Sequence, residues 1–303
     1  MHRITPYSIG TIMINTYDFE IADLLLRVES PFKLQCLYEL SPFRVPQVRD
    51  RAPDALYSLA LLPKNWVIRG TKLAQDDHSA VYEWNGELHR YYYWNIYSQD
   101  RFVLLTRPRN LDGANTIYLQ EDTLERILPQ FRLSAFLAPE RLLLANQAFL
   151  LHAAVVEWQG RGILFTAPSG TGKSTQARLW AQLEGAEVIN GDRAIIRHTD
   201  GGYMVYGSPY AGTSGIYRSR AVPLDAIVVL SQAPRNALQQ LTPATAFRRL
   251  LPQATALPWD GDFMNSLTEL ILRLVSQVKV FHLACLPNAD AVAMLKDELT
   301  TEC

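Results

Sequence analysis

The stretch Phe165-Thr-Ala-Pro-Ser-Gly-Thr-Gly-Lys-Ser-Thr175 leaves this chain few local structures to choose from. An apolar run, Gly162 to Phe165, precedes it, and apolar residues at helical spacing, Ala177, Trp180 and Leu183, follow it. The order is strand, small-residue loop, helix. The loop ends in Gly172-Lys173-Ser174-Thr175, the lysine–hydroxyl end of a phosphate-binding loop. In such a turn the backbone N–H groups of the loop and of the helix start point into one concavity, where the helix dipole favours an anion. Pro168, Ser169, Gly170, Thr171, Gly172, Lys173, Ser174 and Thr175 are therefore the expected nucleotide-binding residues. Lys173 supplies a point charge for the β- and γ-phosphates, and the Ser174 hydroxyl can ligate Mg²⁺. ATP and Mg²⁺ are the expected cofactors. One position departs from the pattern: it asks for glycine five residues before Gly172, and the chain has Ala167. Alanine does not easily take a positive φ, so the first turn of the loop must be one that alanine adopts.

The chain has 303 residues, enough for two domains or one large one. Hydrophobic residues make up 48% and charged residues 19%, which is ordinary for a soluble globular protein. A formal net charge of -1 sets up no strong global field, so neither nucleic acid nor a membrane surface is an expected partner. Cys36, Cys285 and Cys303 stand far apart without metal-ligand spacing and read as reduced thiols. The first residues lack the charged-then-apolar order of a signal peptide, and no apolar run approaches membrane-spanning length. The expected location is cytoplasmic.

Residues 1–148 read as a smaller α+β domain. Phe19 to Val28 is compatible with a short amphipathic helix, after which Pro42, Pro46 and Pro53 break the chain. From Trp66 the pattern is β. Trp66 to Leu73 is one candidate strand. Ala80, Tyr82 and Trp84 alternate, Asn85-Gly86 turns the chain, and Leu88 to Trp94 alternates again, a strong hairpin signal. Phe102 to Thr106 and Thr116 to Leu119 add strands through Asp112-Gly113, giving an antiparallel sheet over about 66–120. Its aromatics, Trp84, Tyr91, Tyr92, Tyr93, Trp94 and Tyr97, suit strands in any case, and that is the reading preferred. The alternative is a docking surface for an acceptor peptide or protein. Leu124 to Phe131 and a segment starting at Pro139 read as helices leading onward.

Residues 149–303 read as the nucleotide domain. Phe149 to Val156 is a buried strand that carries His152, a residue more often structural than catalytic in such a place. After the loop helix, with Gly185 as its stop, the run from Glu187 reads as a short apolar strand ending at Asp192. A carboxylate at a strand end near a phosphate loop suits a Mg²⁺ ligand or a base for an attacking hydroxyl; otherwise Asp192 is a turn residue before the hairpin Ala194 to Tyr206. The segment Gly207 to Arg220 has three glycines, four Ser/Thr hydroxyls and two arginines. It either folds over the phosphates, with Arg218 or Arg220 stabilising the transferring group, or is a solvated surface loop. Leu224 to Leu230 and Val278 to Cys285 read as strands. Thr245 to Leu251, Leu267 to Val278 and a segment capped by Asn288 read as helices.

These residues together resemble the HPr kinase/phosphorylase and phosphoenolpyruvate-carboxykinase-like group of P-loop proteins, over about 149–300. The marks are His152-Ala153 on a strand, the loop Ser169 to Ser174, the strand ending in acid at Asp192, and the run Phe281 to Pro287 followed by a helix. The resemblance implies an α/β domain with a mixed sheet and a histidine, here His152, beside the reacting phosphate. It also implies an Asp-Asp pair, where this chain has Gly191-Asp192. One carboxylate must then serve as base, as metal ligand or as both, and the reverse, phosphorolytic reaction of bifunctional members is not expected. The amino-terminal part looks more like family relatives associated with peptide tailoring.

The expectation is thus a kinase that transfers the γ-phosphate of ATP to a serine-type hydroxyl, preferably on a peptide. His152, Lys173, Asp192, Arg218 and Arg220 are the candidate catalytic residues, and Ser174 and Asp192 the candidate metal ligands. A free small-molecule alcohol such as serine, a nucleotide-sensing module without turnover, and an NTPase stay open as alternatives. The resembled enzymes form hexamers, while no residue of this sequence shows assembly; a homo-oligomer stays open.

Overall fold

The computed structural model describes residues 13–34, 37–47, 50–95 and 98–301. Cys36, Tyr97 and Cys303 lie outside the described residues. Two compact units divide the chain. The first holds the described residues of Met1–Glu20, Leu24–Tyr38 and Arg44–Leu137; the second holds Ile21–Asp23, Glu39–Phe43 and those of Ala138–Cys303. Both contain a mixed sheet. Among the described residues no helix is long and apolar enough to cross a membrane.

The first unit is built on nine strands: β1 (Asn15–Ile21), β2 (Leu24–Ser30), β3 (Arg44–Val45), β4 (Ala55–Leu61), β5 (Thr71–Gln75), β6 (Ser79–Trp84), β7 (Glu87–Asn95), β8 (Ser98–Pro108) and β9 (Asn115–Leu119). Their order in the sheet is β3-β1-β2-β4-β9-β8-β7-β6-β5. The Asn85-Gly86 hairpin forms as expected, with φ of 51° and 77° at its two turn residues. The expected antiparallel sheet over about 66–120 forms too, with β5 to β9 antiparallel throughout; β4, which precedes that range, adds parallel pairings to β2 and β9. The expected helix over Phe19 to Val28 is instead the two strands β1 and β2. Ala22 and Asp23 both take positive φ, 52° and 59°, the geometry of a two-residue hairpin turn. Phe19, Leu24, Leu25, Leu26 and Val28 are all buried. A run buried on both faces has no period-2 signal, so its pattern cannot be told from that of a buried helix.

The expected strand from Trp66 begins only at Thr71. Trp66 sits in a turn, its N–H donating to Pro63 O at 3.0 Å, and its indole N–H donates to Tyr91 Oη at 3.0 Å. Tyr91 and Tyr93 are buried with Ala80, Phe102 and Leu104 in a small core. These aromatics build the sheet's own packing. Two short helices follow, α1 (Leu124–Ile127), which Pro129 closes after one turn, and α2 (Glu140–Ala145), entered from Pro139.

In the second unit the strands are β10 (Ala148–Trp158), β11 (Arg161–Thr166), β12 (Glu187–Asn190), β13 (Arg193–Thr199), β14 (Gly202–Tyr206), β15 (Ala221–Gln232), β16 (Ala237–Gln240) and β17 (Lys279–Cys285). The helices are α3 (Lys173–Glu184), α4 (Pro243–Leu250), α5 (Gly261–Gln277) and α6 (Ala289–Thr300). The sheet order is β11-β10-β13-β14-β15-β17-β16, with β12 paired to β10 and β15 also paired to β11. β11, β15 and β17 run parallel, so their carboxyl ends lie along one edge.

Alternation along β10 and β15 sorts the core into two faces. Leu151, Ala153, Val155, Ile227 and Val229 pack with Leu250 of α4 and with Leu267, Leu270 and Leu274 of α5. Ala154, Val156, Trp158, Ala226 and Val228 pack with Ala177 and Trp180 of α3 and with Val292 and Leu295 of α6. The result is a three-layer helix–sheet–helix arrangement. The caps fall where the sequence places them: Gly185 ends α3 at φ 67°, and the Asn288 side chain accepts from Ala291 N–H at the start of α6.

Candidate functional site

Register along β10 assembles the site. Ala148–His152 pairs with β13, while Ala153–Trp158 pairs with β11 and Val155–Glu157 with β12. The changeover falls at His152-Ala153. On one side Thr166, the last residue of β11, pairs with Ala153 and donates its hydroxyl to His152 O at 2.8 Å. On the other, the gap between β12 and β13 is filled by Gly191-Asp192, and Ala153 N–H donates to Asp192 O at 2.8 Å. The glycine loop and Asp192 therefore flank the same pair of residues. His152 shares the parity of Ala154 and Val156, so it continues the sheet face on which α3 packs.

The loop between β11 and α3 has the geometry its residues predict. Ala167 is buried and is not among the positive-φ residues, whereas Gly170 and Gly172 take φ of 77° and 121°. The first α3 bond runs from Gln176 N–H to Gly172 O at 2.9 Å, leaving the N–H groups of Lys173, Ser174 and Thr175 without helical partners. The Lys173 side chain curls back over the loop. Its Nζ donates to Ala167 O at 3.0 Å and to Pro168 O at 3.3 Å. Burial lowers the Lys173 ammonium from its usual value, and the nearby Asp192 charge opposes that shift.

A cavity of about 380 Å³ opens beside this loop. Ser169, Gly170, Gly172, Lys173, Ser174 and Thr175 form one wall, and His152, Gly191, Asp192, Thr213 and Ser214 the other. His152 Nε2 lies 3.5 Å from Asp192 Oδ1. Burial, and then the positive charge of Lys173, lower His152 below the ordinary imidazole value, while Asp192 pulls the other way. Asp192 itself is fixed from below by Asn190, a fully buried residue whose Oδ1 accepts the N–H groups of Asp192 and Arg193, each at 2.9 Å. Asn190 Nδ2 donates to Ser208 O at 2.9 Å, tying the strand end to the following loop. Sequence reasoning missed Asn190, although Asn-Gly-Asp after a strand is an Asx-turn signal.

Glycines let the loop 211–215 close on Asp192. A Cβ built on Gly212, whose φ is 54°, would stand 2.6 Å from Asp192 Cγ. A Cβ on Gly191 would stand 2.1 Å from Ser214 Oγ. The space in which a second carboxylate beside Asp192 would begin is thus filled by Ser214.

His152, Lys173, Ser174 and Asp192 are brought together around one cavity. Thr171 faces a different cavity on the far side of the loop, and Pro168 lines neither but accepts from Lys173 and from Thr171 N–H. Arg218 and Arg220 line neither cavity. Arg218 pairs with Glu187 at 2.7 Å and donates to Val188 O, and Arg220 forms a two-point pair with Glu157 at 2.6 and 2.7 Å. Both arginines point along the β12 and β10 strands, where acidic partners hold them.

A Mg²⁺ ion characteristically takes one or two protein oxygens and completes its shell with phosphate and water. Ser174 and Asp192, facing each other across a polar cavity, fit that demand. Among the described residues there is no cluster of three or more His, Cys, Asp or Glu for an all-protein metal cage.

A mixed α/β unit with a strand–glycine-loop–helix turn and one carboxylate facing it defines the class of protein. The family described as "SynChlorMet cassette protein ScmC" matches residues 133–286, just over half of the 303-residue chain, and the chain belongs to that family. No curated protein matches it. Among solved structures, the chain is similar to the HPr(Ser) kinase/phosphatase from Coxiella burnetii, at 11% identity and a TM-score of 0.30, over 50% of this chain and 88% of that one.

Proposed function

We propose that the protein is an ATP-dependent kinase that transfers the γ-phosphate to a hydroxyl, with a serine-type side chain of a peptide as the acceptor. The observation that carries the reading is the convergence of Lys173, Ser174, His152 and Asp192 on one polar cavity at a helix N-terminus. The free N–H groups of the loop and the Lys173 ammonium hold the β- and γ-phosphates and neutralise charge as it develops. Ser174 and Asp192 would hold a Mg²⁺ ion, which would supply positive charge to offset that of the phosphates. Asp192 accepts the acceptor's hydroxyl proton as its oxygen attacks the γ-phosphorus and the bond to the β-phosphate oxygen breaks. His152, kept neutral by burial and by Lys173, hydrogen-bonds at the reacting end without adding a second cation.

The test is phosphate transfer from labelled ATP to serine-containing peptides and to free serine, followed by mass measurement of the products. Label on a peptide hydroxyl is the expected result. Label only on free serine would move the acceptor to a small molecule. Hydrolysis at a rate unaffected by any alcohol would replace the kinase with an NTPase, and nucleotide binding without any product would leave a sensing module.

A further inference from the structure

The glycine loop separates two cavities, and the second is the larger, at about 540 Å³. That size lies inside the range of roughly 300–1,000 Å³ usual for small-molecule sites. It lies across the carboxyl ends of β15 and β17, the parallel neighbours of the strand that feeds the loop, where open α/β sheets take their ligands. Gly170, Gly172 and Thr175 line both cavities, so a molecule gripped at the loop has direct access to each. The remaining walls differ from those of the Asp192 side. They contain Leu230, Leu286 and Pro287, the amides of Gln176 and Gln232, and the Cys285 thiol, and no Lys, Arg, Asp or Glu. The Gln176 side chain is buried; its Nε2 donates to Cys285 Sγ at 3.4 Å, and its Oε1 has no hydrogen-bond partner.

A cavity free of charge, joined to an anion cradle, suits a ligand that is anionic at one end and neutral at the other. We propose that this second cavity holds the nucleoside end of the nucleotide, packed on Leu230, Leu286 and Pro287 and recognised by the amides of Gln176 and Gln232. The proposal rests on the phosphate-binding reading of the loop, and it fixes the direction in which the triphosphate lies. The nucleoside sits at the β15–β17 edge, and the γ-phosphate points to Asp192. Cys285, in the cavity wall, reports occupancy.

The test compares a non-hydrolysable ATP analogue with inorganic tripolyphosphate by calorimetry on the full chain. The analogue is expected to bind at least about tenfold more tightly, the nucleoside contributing the difference. Ala233→Trp, which fills the cavity, is expected to lower the analogue to the affinity of tripolyphosphate and to leave tripolyphosphate binding unchanged. In the wild-type protein the analogue, and not tripolyphosphate, is expected to slow alkylation of Cys285, followed by peptide mapping at mildly alkaline pH. Equal affinities for the two ligands, or Cys285 labelling unchanged under saturating analogue, overturn the nucleoside assignment while the loop remains a phosphate site. Failure of both ligands to bind overturns the assignment together with the reading it rests on. The wild-type comparisons decide the matter even where Ala233→Trp does not fold.

Discussion

Lys173 and Asp192 do different work, and their substitutions separate it. Lys173→Ala removes the charge that the loop carbonyls of Ala167 and Pro168 hold in place. Asp192→Asn keeps the shape of the strand end and removes its charge. Each is expected to unfold cooperatively like the parent and to lose about 10³-fold in phosphate transfer, because such sites act mainly through positioning and charge. Near-normal turnover by either would reject its assigned role. Gly212 makes a sharper probe. Alanine there meets both a positive φ of 54° and the Asp192 carboxylate at 2.6 Å. Gly212→Ala is expected to destabilise by about 1–3 kcal/mol and to lower kcat by up to ~100-fold through misplacement of Asp192. Unchanged kcat would mean that Asp192 does not need this wall. His152 carries a pH signature. Its folded-state value is depressed below 6.5, first by burial and then by Lys173, so the unfolded chain binds more protons in the window just below that value. Stability therefore rises with pH through that window and falls on acidification. The drop in denaturation midpoint between about pH 7 and about pH 5 is expected to be smaller in His152→Gln, and an identical drop would contradict the assignment.

At the scale of elements, the site stands on α3 and on the register of β10. Trp180 anchors the helix: it is fully buried, meeting Trp158 edge-on at 5.3 Å and Phe165 at 6.2 Å between ring centroids. Trp180→Ala is expected to cost about 3–5 kcal/mol, read from thermal or denaturant unfolding. A loss below about 1 kcal/mol would show that α3 is held by other contacts. The sequence was most legible where elements have local punctuation. Asn85-Gly86, Gly185 and Asn288 each marked an end that the structure keeps. It was least legible over Phe19 to Val28, where apolar residues on both faces erased the period and Ala22-Asp23 is an uncommon pair for a tight turn. The arginines of the 207–220 loop show a further limit. Their charge suggested a catalytic role, and only the paired geometry revealed Glu187 and Glu157 as their partners.

On the scale of the whole molecule, residues 138–303 contain both faces of the second unit's core and all of the candidate site. A fragment of those residues is expected to fold alone and to keep nucleotide binding within about tenfold of the full chain. A fragment without cooperative unfolding would show that residues before 138, among them the second unit's own Ile21–Asp23 and Glu39–Phe43, are required. By itself the sequence determined the strand–loop–helix turn, because glycine at Gly170 and Gly172, a lysine and a hydroxyl act through backbone angles and charges only a few residues apart. It also placed His152 on its strand and Asp192 at a strand end, which the structure sets two residues past the end of β12. It could not determine that these two meet, because their contact depends on where the edge of β10 opposite β11 passes from β13 to β12, a matter of register over long separations. Nor could it show that Ser214 fills the space beside Gly191, or that a cavity without charge lies across the ends of β15 and β17. Those features arise from packing between segments far apart in the chain, and packing is decided only when the sheet is closed.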